Sequence, residues 1–493
     1  MSSRTNSQSR SAEIRARLSH PIIDADGHNA EFEPLFLDYF RDIAGPKIVE
    51  RYKQSPESPF IYKWHRMTAQ ERRDFRTPRP NWWGHPTSMS LDRATSSLPG
   101  LLHERLDELG LDFAIIYPSL NINSAHLSDE EMRRAACRAF NRYQSDIFRE
   151  YSDRLTPVAC IPMHTPAEAL EELDYAVKTL GMKAILMPAY VRRPIPGYAR
   201  QAPELKSQLT WLDTFCLDSE YDYDPVWARC VELKVAPTFH SKGTGFGARV
   251  SISNFTYNHI GHFAWADEAI CKALFLGGVT RRFPKLHFAF QEGGIGWARI
   301  LFGDLIGHWK IRNRKAIDLR NPALLDRQLF RDLAERYGGE RFASKFPIGE
   351  GDVSEVQWGT RERGEDLDEF ARCEIEKIED IRDLFAPNFF FGCEGDDTMT
   401  PLAFKPRMNP FGTKLKAIYG SDMGHLDLPD MRNAAAEAYE LVEEGLINEE
   451  DFRQFVFVNP VRLHGGMNPD FFKGTIVERA AAEILAERHG ARE

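Results

Sequence analysis

No run of about 18 consecutive apolar residues, the minimum for a membrane-spanning helix, occurs in the 493 residues of the chain. The first 15 residues are polar and lack the apolar core of a secretory signal. The formal net charge of -10 leaves no overall basic footprint for nucleic acid or an anionic membrane. We therefore expect a soluble cytoplasmic protein that acts on a small molecule and binds neither nucleic acid nor membrane.

Paired cysteines and two catalytic signatures are also missing. The seven cysteines are an odd number and contain no C-x-x-C pair, which argues against a disulfide framework and a thiolate zinc site. Neither the G-x-S-x-G turn of serine hydrolases nor the H-E-x-x-H helix of zincins is present. We expect reduced thiols, and the serine hydrolase and zincin classes lose support.

The sequence does contain short apolar segments that alternate regularly with amphipathic helical patterns. Because parallel strands need a crossover between them, this alternation predicts a parallel sheet. Eight segments fit as strands: 21–29, 113–119, 155–162, 183–188, 235–240, 286–292, 388–394 and 415–422. Eight parallel strands close naturally into an α/β fold of the (β/α)8 TIM barrel type, which we predict; a doubly wound open sheet is the alternative.

We predict one barrel domain over residues 20–465, with long helical insertions at about 37–99 and 299–383. Excursions of this length from a compact domain are usually lids or binding loops. Trp82 and Trp83, in the first insertion, either contact a flat substrate or pack the insertion onto the barrel. Residues 466–493 are predicted to form a helical C-terminal tail.

Ionisable residues recur where the predicted strands end. Asp26 and His28 close the first strand, His240 the fifth, Glu292 the sixth and Asp422 the eighth. The carboxyl ends of barrel strands meet at one rim, which carries the active site in this architecture. One such residue has an ordinary structural explanation, but five at one rim predict a metal or catalytic site.

The first strand carries the clearest chelating pattern. Because side chains alternate along a strand, Asp24, Asp26 and His28 are predicted to point to the same side. A carboxylate and an imidazole two residues apart suit Zn²⁺, Fe²⁺ or Mn²⁺. Asp24 lies one step inward from Asp26, so we assign it to support of the ligands.

Five segments together resemble a known family. They are Ile23-Asp24-Ala25-Asp26-Gly27-His28, Pro237-Thr238-Phe239-His240, Arg282-Phe283-Pro284-Lys285-Leu286, Gly420-Ser421-Asp422 and Asn459-Pro460-Val461-Arg462-Leu463. The sequence resembles the amidohydrolase superfamily, in the branch that includes aminocarboxymuconate semialdehyde decarboxylase and γ-resorcylate decarboxylase. The resemblance covers about residues 20–465 and also implies a homodimer.

The resemblance implies four metal ligands: Asp26, His28, His240 and Asp422. Asp26 departs from the family pattern, since many members have His there, and the carboxylate favours metals that prefer oxygen. Glu292 departs as well, because the decarboxylases carry at this position a His thought to move protons. Glu292 is therefore a candidate acid or base and a candidate ligand for a second ion.

The number of metal ions follows from the fourth strand. Lys183 begins that strand, so its carboxyl end offers no lysine that could be carbamylated to bridge two ions. A single zinc, iron or manganese ion is the simpler interpretation, and a second ion held by Glu292 stays open.

The chemistry expected of this site is hydrolysis. Water activated by the metal would attack an ester, thioester, amide or C–C bond next to a carbonyl of a small organic acid derivative, with Glu292, Asp422 and His425 in catalysis. One alternative is non-oxidative decarboxylation of an aromatic or unsaturated acid at the same metal. Another is an inactive barrel that acts as a binding protein.

Overall fold

A computed structural model describes residues 8–55, 57, 63–80, 88–240, 247–320, 324–345 and 368–490. This part of the chain contains ten strands, which are β1 Ile23–Asn29, β2 Phe113–Pro118, β3 Leu155–Cys160, β4 Ala184–Pro188, β5 Val191–Pro194, β6 Thr210–Asp213, β7 Pro237–His240, β8 Phe288–Phe290, β9 Phe389–Glu394 and β10 Lys416–Gly420. Eight of them form one sheet in the order β1-β2-β3-β4-β7-β8-β9-β10, and every pair in it is parallel. The fold is a (β/α)8 TIM barrel, as predicted.

The seam between the last and first strands brings two predicted ligands together. The backbone N–H of Asp422 donates to the carbonyl oxygen of Asp26 at 3.2 Å. A Cβ on Gly420 would lie 2.7 Å from the Cβ of Asp26, closer than side-chain atoms pack. The absence of a side chain at Gly420 therefore lets β10 approach β1.

Helices cover the outside of the barrel between its strands. They are Pro99–Leu109, Glu130–Phe148, Pro166–Asp174, Asp224–Leu233, His262–Leu276, Val279–Arg282, Gly296–Arg312 and Ile378–Phe385. Because these helices cover one face of the strands and the barrel interior covers the other, every residue of β1, β2, β4, β7 and β8 is buried. Gly110 ends the helix before β2 in a left-handed conformation, as a C-cap glycine should.

Further helices lie in the insertions, the loops and the two ends of the chain. They are Arg10–Arg17, Glu33–Gln54, Lys63–Arg66, Ala69–Asp74, Ser90–Thr95, Pro196–Gln201, Phe255–His259, Arg314–Asp318, Arg327–Leu333, Glu340–Ala343, Ala434–Glu443, Glu449–Arg453, Asn459–His464 and Glu478–Gly490. Trp82 and Trp83 lie outside the described residues. None of the helices in the described ranges is long and apolar enough to cross a membrane. All seven cysteines are free thiols.

Candidate metal centre

Six ionisable side chains meet at the carboxyl end of the barrel. They are all of the site residues predicted from the sequence: Asp26, His28, His240, Glu292, Asp422 and His425. Nε2 of His28 lies 3.6 Å from Oδ1 of Asp26 and 3.3 Å from Oδ1 of Asp422. Nε2 of His240 lies 3.2 Å from Oε2 of Glu292. Five of the six side chains are almost fully buried, whereas His425 keeps 21% of its side chain exposed.

The surroundings of His28 leave one ring nitrogen facing the other site residues. Nδ1 of His28 lies 3.2 Å from the carbonyl oxygen of Pro118, at the end of β2. A carbonyl oxygen can only accept, so this contact places the proton on Nδ1 and leaves Nε2 as a lone-pair donor. The imidazole is thereby held in the tautomer that binds a metal through Nε2.

Strand β1 contains a bulge next to its carboxylates. The register against β2 shifts between Asp24 and Gly27, so β1 carries one extra residue there. Asp24 accepts hydrogen bonds from the hydroxyl and the backbone N–H of Ser421 and from the backbone N–H of Asp26. Asp24 therefore connects the two strands that carry Asp26 and Asp422.

Two of the site carboxylates sit on strained backbone. Glu292 has a φ of 57° and Asp422 a φ of 49°, in the left-handed region that residues other than glycine seldom adopt. Each residue follows its barrel strand by two positions, where the chain turns away from the rim. Strain of this kind is typical of functional sites, because the surrounding structure must hold the side chain in place against it.

Burial and mutual repulsion shift the pKa values of the site residues in opposite directions. Burial raises the pKa of Asp26 and Asp422 well above the usual range, and the charge of Glu292 raises both further. Burial lowers the pKa of His28 well below its usual value, so its imidazole is neutral. Burial would also raise the pKa of Glu292, but the histidines around it, led by His240, hold that pKa well below the ordinary glutamate value.

These residues fit a divalent cation. Oδ1 of Asp26, Nε2 of His28 and Oδ2 of Asp422 are buried and have no hydrogen-bond partner in the described part of the chain. Buried lone pairs without a partner are costly, and a cation would satisfy all three at once. Two overlapping groups of side chains could each hold an ion: Asp26 with His28 and His240, and His28 with Glu292, Asp422 and His425. Carboxylates combined with imidazoles suit zinc, iron or manganese.

No lysine in the described ranges takes part in the cluster. Lys183 precedes β4, and its ammonium group donates to the carbonyl oxygen of Phe471 at 3.0 Å. It therefore lies at the amino end of the strand, as predicted, where it cannot bridge two ions at the rim.

Two polar residues beside the cluster were not predicted. Oγ of Ser119 lies 2.9 Å from Nε2 of His425, while Nδ1 of His425 lies 2.7 Å from Oδ1 of Asp422. Ser119 is the first polar residue after β2, the strand-end signal that identified the other residues. Asp267 lies on the helix His262–Leu276 and is fully buried. Burial raises the pKa of Asp267 well above its usual value, and the charge of Glu292 raises it further. A residue in mid-helix gives no such signal.

Comparison with known proteins places the chain in a family. A sequence model for the family described as amidohydrolase matches residues 95–369, more than half of the chain. No curated protein matches the chain in sequence. Among solved structures, an amidohydrolase of Mycobacterium avium subsp. paratuberculosis K-10, map2389c, is 17% identical over 91% of this chain and 100% of its own, with a TM-score of 0.50.

Two further solved structures show the same range of similarity. The 5-carboxyvanillate decarboxylase LigW of Sphingomonas paucimobilis is 13% identical, covers 90% of this chain and 99% of its own, and has a TM-score of 0.48. The 4-oxalomesaconate hydratase LigJ of Rhodopseudomonas palustris is 15% identical, covers 95% and 99%, and has a TM-score of 0.44. The family match, on a barrel whose rim gathers six ionisable side chains, shows that the chain belongs to the amidohydrolase family.

Proposed function

We propose that the protein is a metal-dependent hydrolase that holds one divalent ion through Asp26, His28, His240 and Asp422. The observation that carries the proposal is that two groups of possible ligands meet at the buried His28: Asp26 and His240 form one with it, and Asp422, Glu292 and His425 form the other. When bound, the cation would polarise the substrate carbonyl and lower the pKa of water from 15.7 to roughly 7. Its substrate would be an ester, thioester, amide or activated C–C bond next to a carbonyl.

The surrounding residues supply the proton transfers that hydrolysis needs. Oδ1 of Asp422 can accept the proton of the attacking water, and Nδ1 of His425 lies within hydrogen-bond distance of that oxygen. Oε1 of Glu292 lies 3.7 Å from Nδ1 of His425, beyond direct hydrogen-bond distance, so a proton would pass between the two groups through one water molecule as the leaving group departs. His425 is the most exposed of the six side chains, so it connects the buried carboxylates to the substrate side.

Decarboxylation of an aromatic or unsaturated acid is the second candidate, and one observation favours it. The partly exposed His425 can deliver a proton to the carbon atom that loses carbon dioxide. The ionised Glu292 favours hydrolysis instead, because a carboxylate without its proton is a base. The third possibility, an inactive barrel, leaves buried carboxylates and imidazoles together without a metal, at a high cost in free energy.

Metal analysis tests whether the site holds an ion. We expect about one divalent ion per purified chain, and less than a third of that in His28→Ala and His240→Ala. His308→Ala is the matched control, because His308 is an exposed histidine on the helix Gly296–Arg312. Equal metal content in all four proteins would overturn the assignment of the ligands.

A substrate panel separates the two reactions. Esters, thioesters, amides and aromatic carboxylic acids would be incubated with the metal-loaded protein in ¹⁸O-labelled water. Hydrolysis places the label in the acid product, whereas decarboxylation releases carbon dioxide and leaves no label in the organic product. If carbon dioxide is released and no labelled acid forms, decarboxylation replaces hydrolysis as the proposed reaction.

A further inference from the structure

Two long excursions of the chain begin on opposite sides of the barrel mouth. One follows β1 and the other follows β7, so both leave the barrel at the carboxyl ends of its strands. In the sheet order β1-β2-β3-β4-β7-β8-β9-β10, β7 is the fifth of the eight strands, and the contact between β10 and β1 closes the ring. A contact between these two excursions therefore crosses the mouth.

Such a contact joins residues 64–79 to residues 251–258, and we call it the clasp. Nε1 of Trp64 donates to the carbonyl oxygen of Ile252 at 2.9 Å. The guanidinium carbon of Arg72 lies 3.6 Å from the ring centre of Trp64, and Nε of Arg72 donates to the carbonyl oxygen of Trp64 at 2.9 Å. Because a cation on the face of an indole ring attracts it, Arg72 holds Trp64 in the position that reaches the opposite excursion.

Arg79 and Asn258 form the second half of the clasp. The backbone N–H of Arg79 donates to the carbonyl oxygen of Ser251 at 3.0 Å, and its guanidinium donates to the carbonyl oxygen of Ser253 at 2.9 Å. Nδ2 of Asn258 donates to the carbonyl oxygens of Arg79 and Ser251 at 3.0 and 2.9 Å. Asn258 is fully buried, so these bonds are shielded from water.

Aromatic rings lead from the clasp to the candidate metal centre. The ring centre of His259 lies 5.4 Å from that of Phe263, and Phe263 lies 5.5 Å from the ring of His240 and edge-on to it. Phe263 is only partly buried, and among the described residues it does not pack against the barrel core. Its free surface is therefore available to line a cavity beside His240.

The burial of the site agrees with a covered mouth. Asp26, His28, His240, Glu292 and Asp422 each expose at most 4% of their side chains, although they lie at the end of the barrel where substrate enters. His425 exposes 21% of its side chain and keeps the widest access to solvent among the six site residues.

We propose that the clasp covers the metal centre and that the substrate is a small molecule enclosed beneath it, against Phe263. Because the clasp joins opposite sides of the mouth, a polymer chain cannot lie across the centre while the clasp is closed. The choice of substrate rests on the proposed function, whereas the covering of the mouth does not.

The clasp must open for substrate to enter and product to leave. Its contacts are a few hydrogen bonds and one contact between a cation and a ring, each of which contributes little to stability by itself. Contacts of this kind can break locally while the barrel stays folded, as the covering loops of many enzymes do.

Modification of histidine by diethyl pyrocarbonate tests the covering on the full-length protein and needs no substrate. We expect Trp64→Ala and Arg72→Ala to raise the modification rate of His425 about tenfold, because the open form becomes more populated. His308, exposed on the helix Gly296–Arg312, is the internal reference. Arg73→Ala removes the exposed arginine next to Arg72 and should behave like the wild type.

A disulfide across the clasp should have the opposite effect. The backbone hydrogen bond between residues 79 and 251 brings these positions within reach of a disulfide, so Arg79→Cys combined with Ser251→Cys can be closed with diamide. Oxidation should lower the modification rate of His425 below the wild-type rate, and dithiothreitol should restore it. Ser251→Cys alone is the control and should not respond. Circular dichroism establishes that each variant is folded.

The size of the substrate is tested with the best compound of the substrate panel. It is offered free and also joined to the surface of a folded carrier protein through its leaving group, and the wild type should act only on the free compound. Equal rates on both forms overturn the assignment of a small, enclosed substrate. Unchanged modification of His425 in Trp64→Ala, in Arg72→Ala and in the oxidised double variant overturns the covering. Modification that changes as expected in a protein without metal supports the covering and removes only the proposed hydrolase.

Discussion

Glu292 is a buried carboxylate of the candidate metal centre, and its neighbours define its role. It is buried among histidines, and these, led by His240, hold its pKa well below the ordinary glutamate value. The proposed ligands Asp26, His28, His240 and Asp422 form a complete set without it. A neutral substitution of Glu292 should therefore change the catalytic rate without removing a proposed metal ligand.

We expect Glu292→Gln to lose turnover by roughly 10²- to 10⁴-fold while most of the metal stays bound. Glutamine keeps the shape of the side chain but can neither accept nor deliver the proton. The measurements are the turnover number on the best substrate of the panel and the metal content of the same preparation. Glu444→Gln, at an exposed glutamate, is the control. Unchanged turnover in Glu292→Gln would remove Glu292 from the mechanism.

Ser119 connects to the site through His425. Its hydroxyl lies 2.9 Å from Nε2 of His425, and the other ring nitrogen lies 2.7 Å from Asp422. The arrangement resembles a catalytic triad, but Glu31 already accepts from the backbone N–H groups of Leu120 and Asn121 that could have stabilised an oxyanion. Ser119 is therefore better suited to orient His425 than to act as a nucleophile.

We expect Ser119→Ala to lower kcat by about 10- to 100-fold, with little change in KM, because His425 loses the contact that orients its ring. Ser119→Thr keeps a hydroxyl and should recover most of the rate. Ser145→Ala, on the helix Glu130–Phe148, is the control for loss of a hydroxyl elsewhere. A parallel loss in Ser119→Ala and Ser119→Thr would contradict the orienting role.

At the scale of elements, the contact between β10 and β1 couples stability to the metal centre. A Cβ on Gly420 would lie 2.7 Å from the Cβ of Asp26, and the backbone there holds Asp422 against Asp26. An added methyl group must push the two strands apart, which would move two proposed ligands relative to each other.

We expect Gly420→Ala to destabilise the fold by about 1–3 kcal/mol and to weaken metal binding. Gly303→Ala is the opposite case, because Gly303 lies inside the helix Gly296–Arg312 and a Cβ there would meet nothing within 4 Å. That variant should gain about 0.5–1 kcal/mol. Urea unfolding and metal titration of both variants check the contrast, and equal effects would show that the seam is not tightly packed.

The helix Ala434–Glu443 carries a carboxyl group that makes stability depend on pH. Burial, together with the charges of Asp396, Glu440 and Asp430, raises the pKa of Glu437 to about 7. Because the folded value lies above the ordinary value of 4.5, this group contributes stability below pH 4.5 that is lost as pH rises through about 7.

We therefore expect Glu437→Gln, which is neutral at every pH, to melt at a higher temperature than the wild type at about pH 8. The difference should shrink towards pH 4.5, where the wild-type carboxyl is also neutral in the folded state. Melting curves at several pH values measure it, with Glu444→Gln as the exposed control. A difference in melting temperature that stays constant with pH would contradict the raised pKa of Glu437.

The sequence predicted the barrel strands but not the geometry between them. Each predicted strand overlaps an observed one. A short apolar segment between two helical patterns is too short for a buried helix and is typical of a buried strand. The hairpin of β5 and β6 was missed, since Val191–Pro194 and Thr210–Asp213 are short and lie outside the barrel sheet. The bulge in β1 was missed too, because a register shift depends on the neighbouring strand.

The same limit applies to the site. Asp26, His28, His240, Glu292 and Asp422 could be found because each is an ionisable residue at the end of an apolar segment. Asp267 could not be found, since it reaches the site from a helix that only the folded chain brings close. The place of a residue at the end of an apolar segment thus predicts that it lies at the rim of the barrel. Residues that reach the site from a helix can be identified only once the tertiary packing is known.

Across the whole molecule, the carboxyl end of the barrel is a concentration of negative charge. Burial raises the pKa of Glu394 well above its usual value, and the charges of Glu292 and Asp427 raise it further. Like charges in a buried site oppose folding unless something neutralises them. A divalent cation bound at the rim would provide this neutralisation, so metal binding and global stability should be coupled.

We expect removal of the metal by chelation to lower the melting temperature of the full-length protein by on the order of 3 °C when the free metal concentration had been 100 to 1,000 times the dissociation constant. An ion that binds only the folded chain contributes about 2.7–4.1 kcal/mol under those conditions, and a chain of this length has a large unfolding entropy that spreads this energy over a few degrees. Adding metal back should restore the melting temperature in the wild type and in His308→Ala. In His28→Ala neither chelation nor metal should move it. An unchanged melting temperature in chelated wild-type protein, with loss of metal verified by elemental analysis, would show that the rim carboxylates are stabilised by the protein alone.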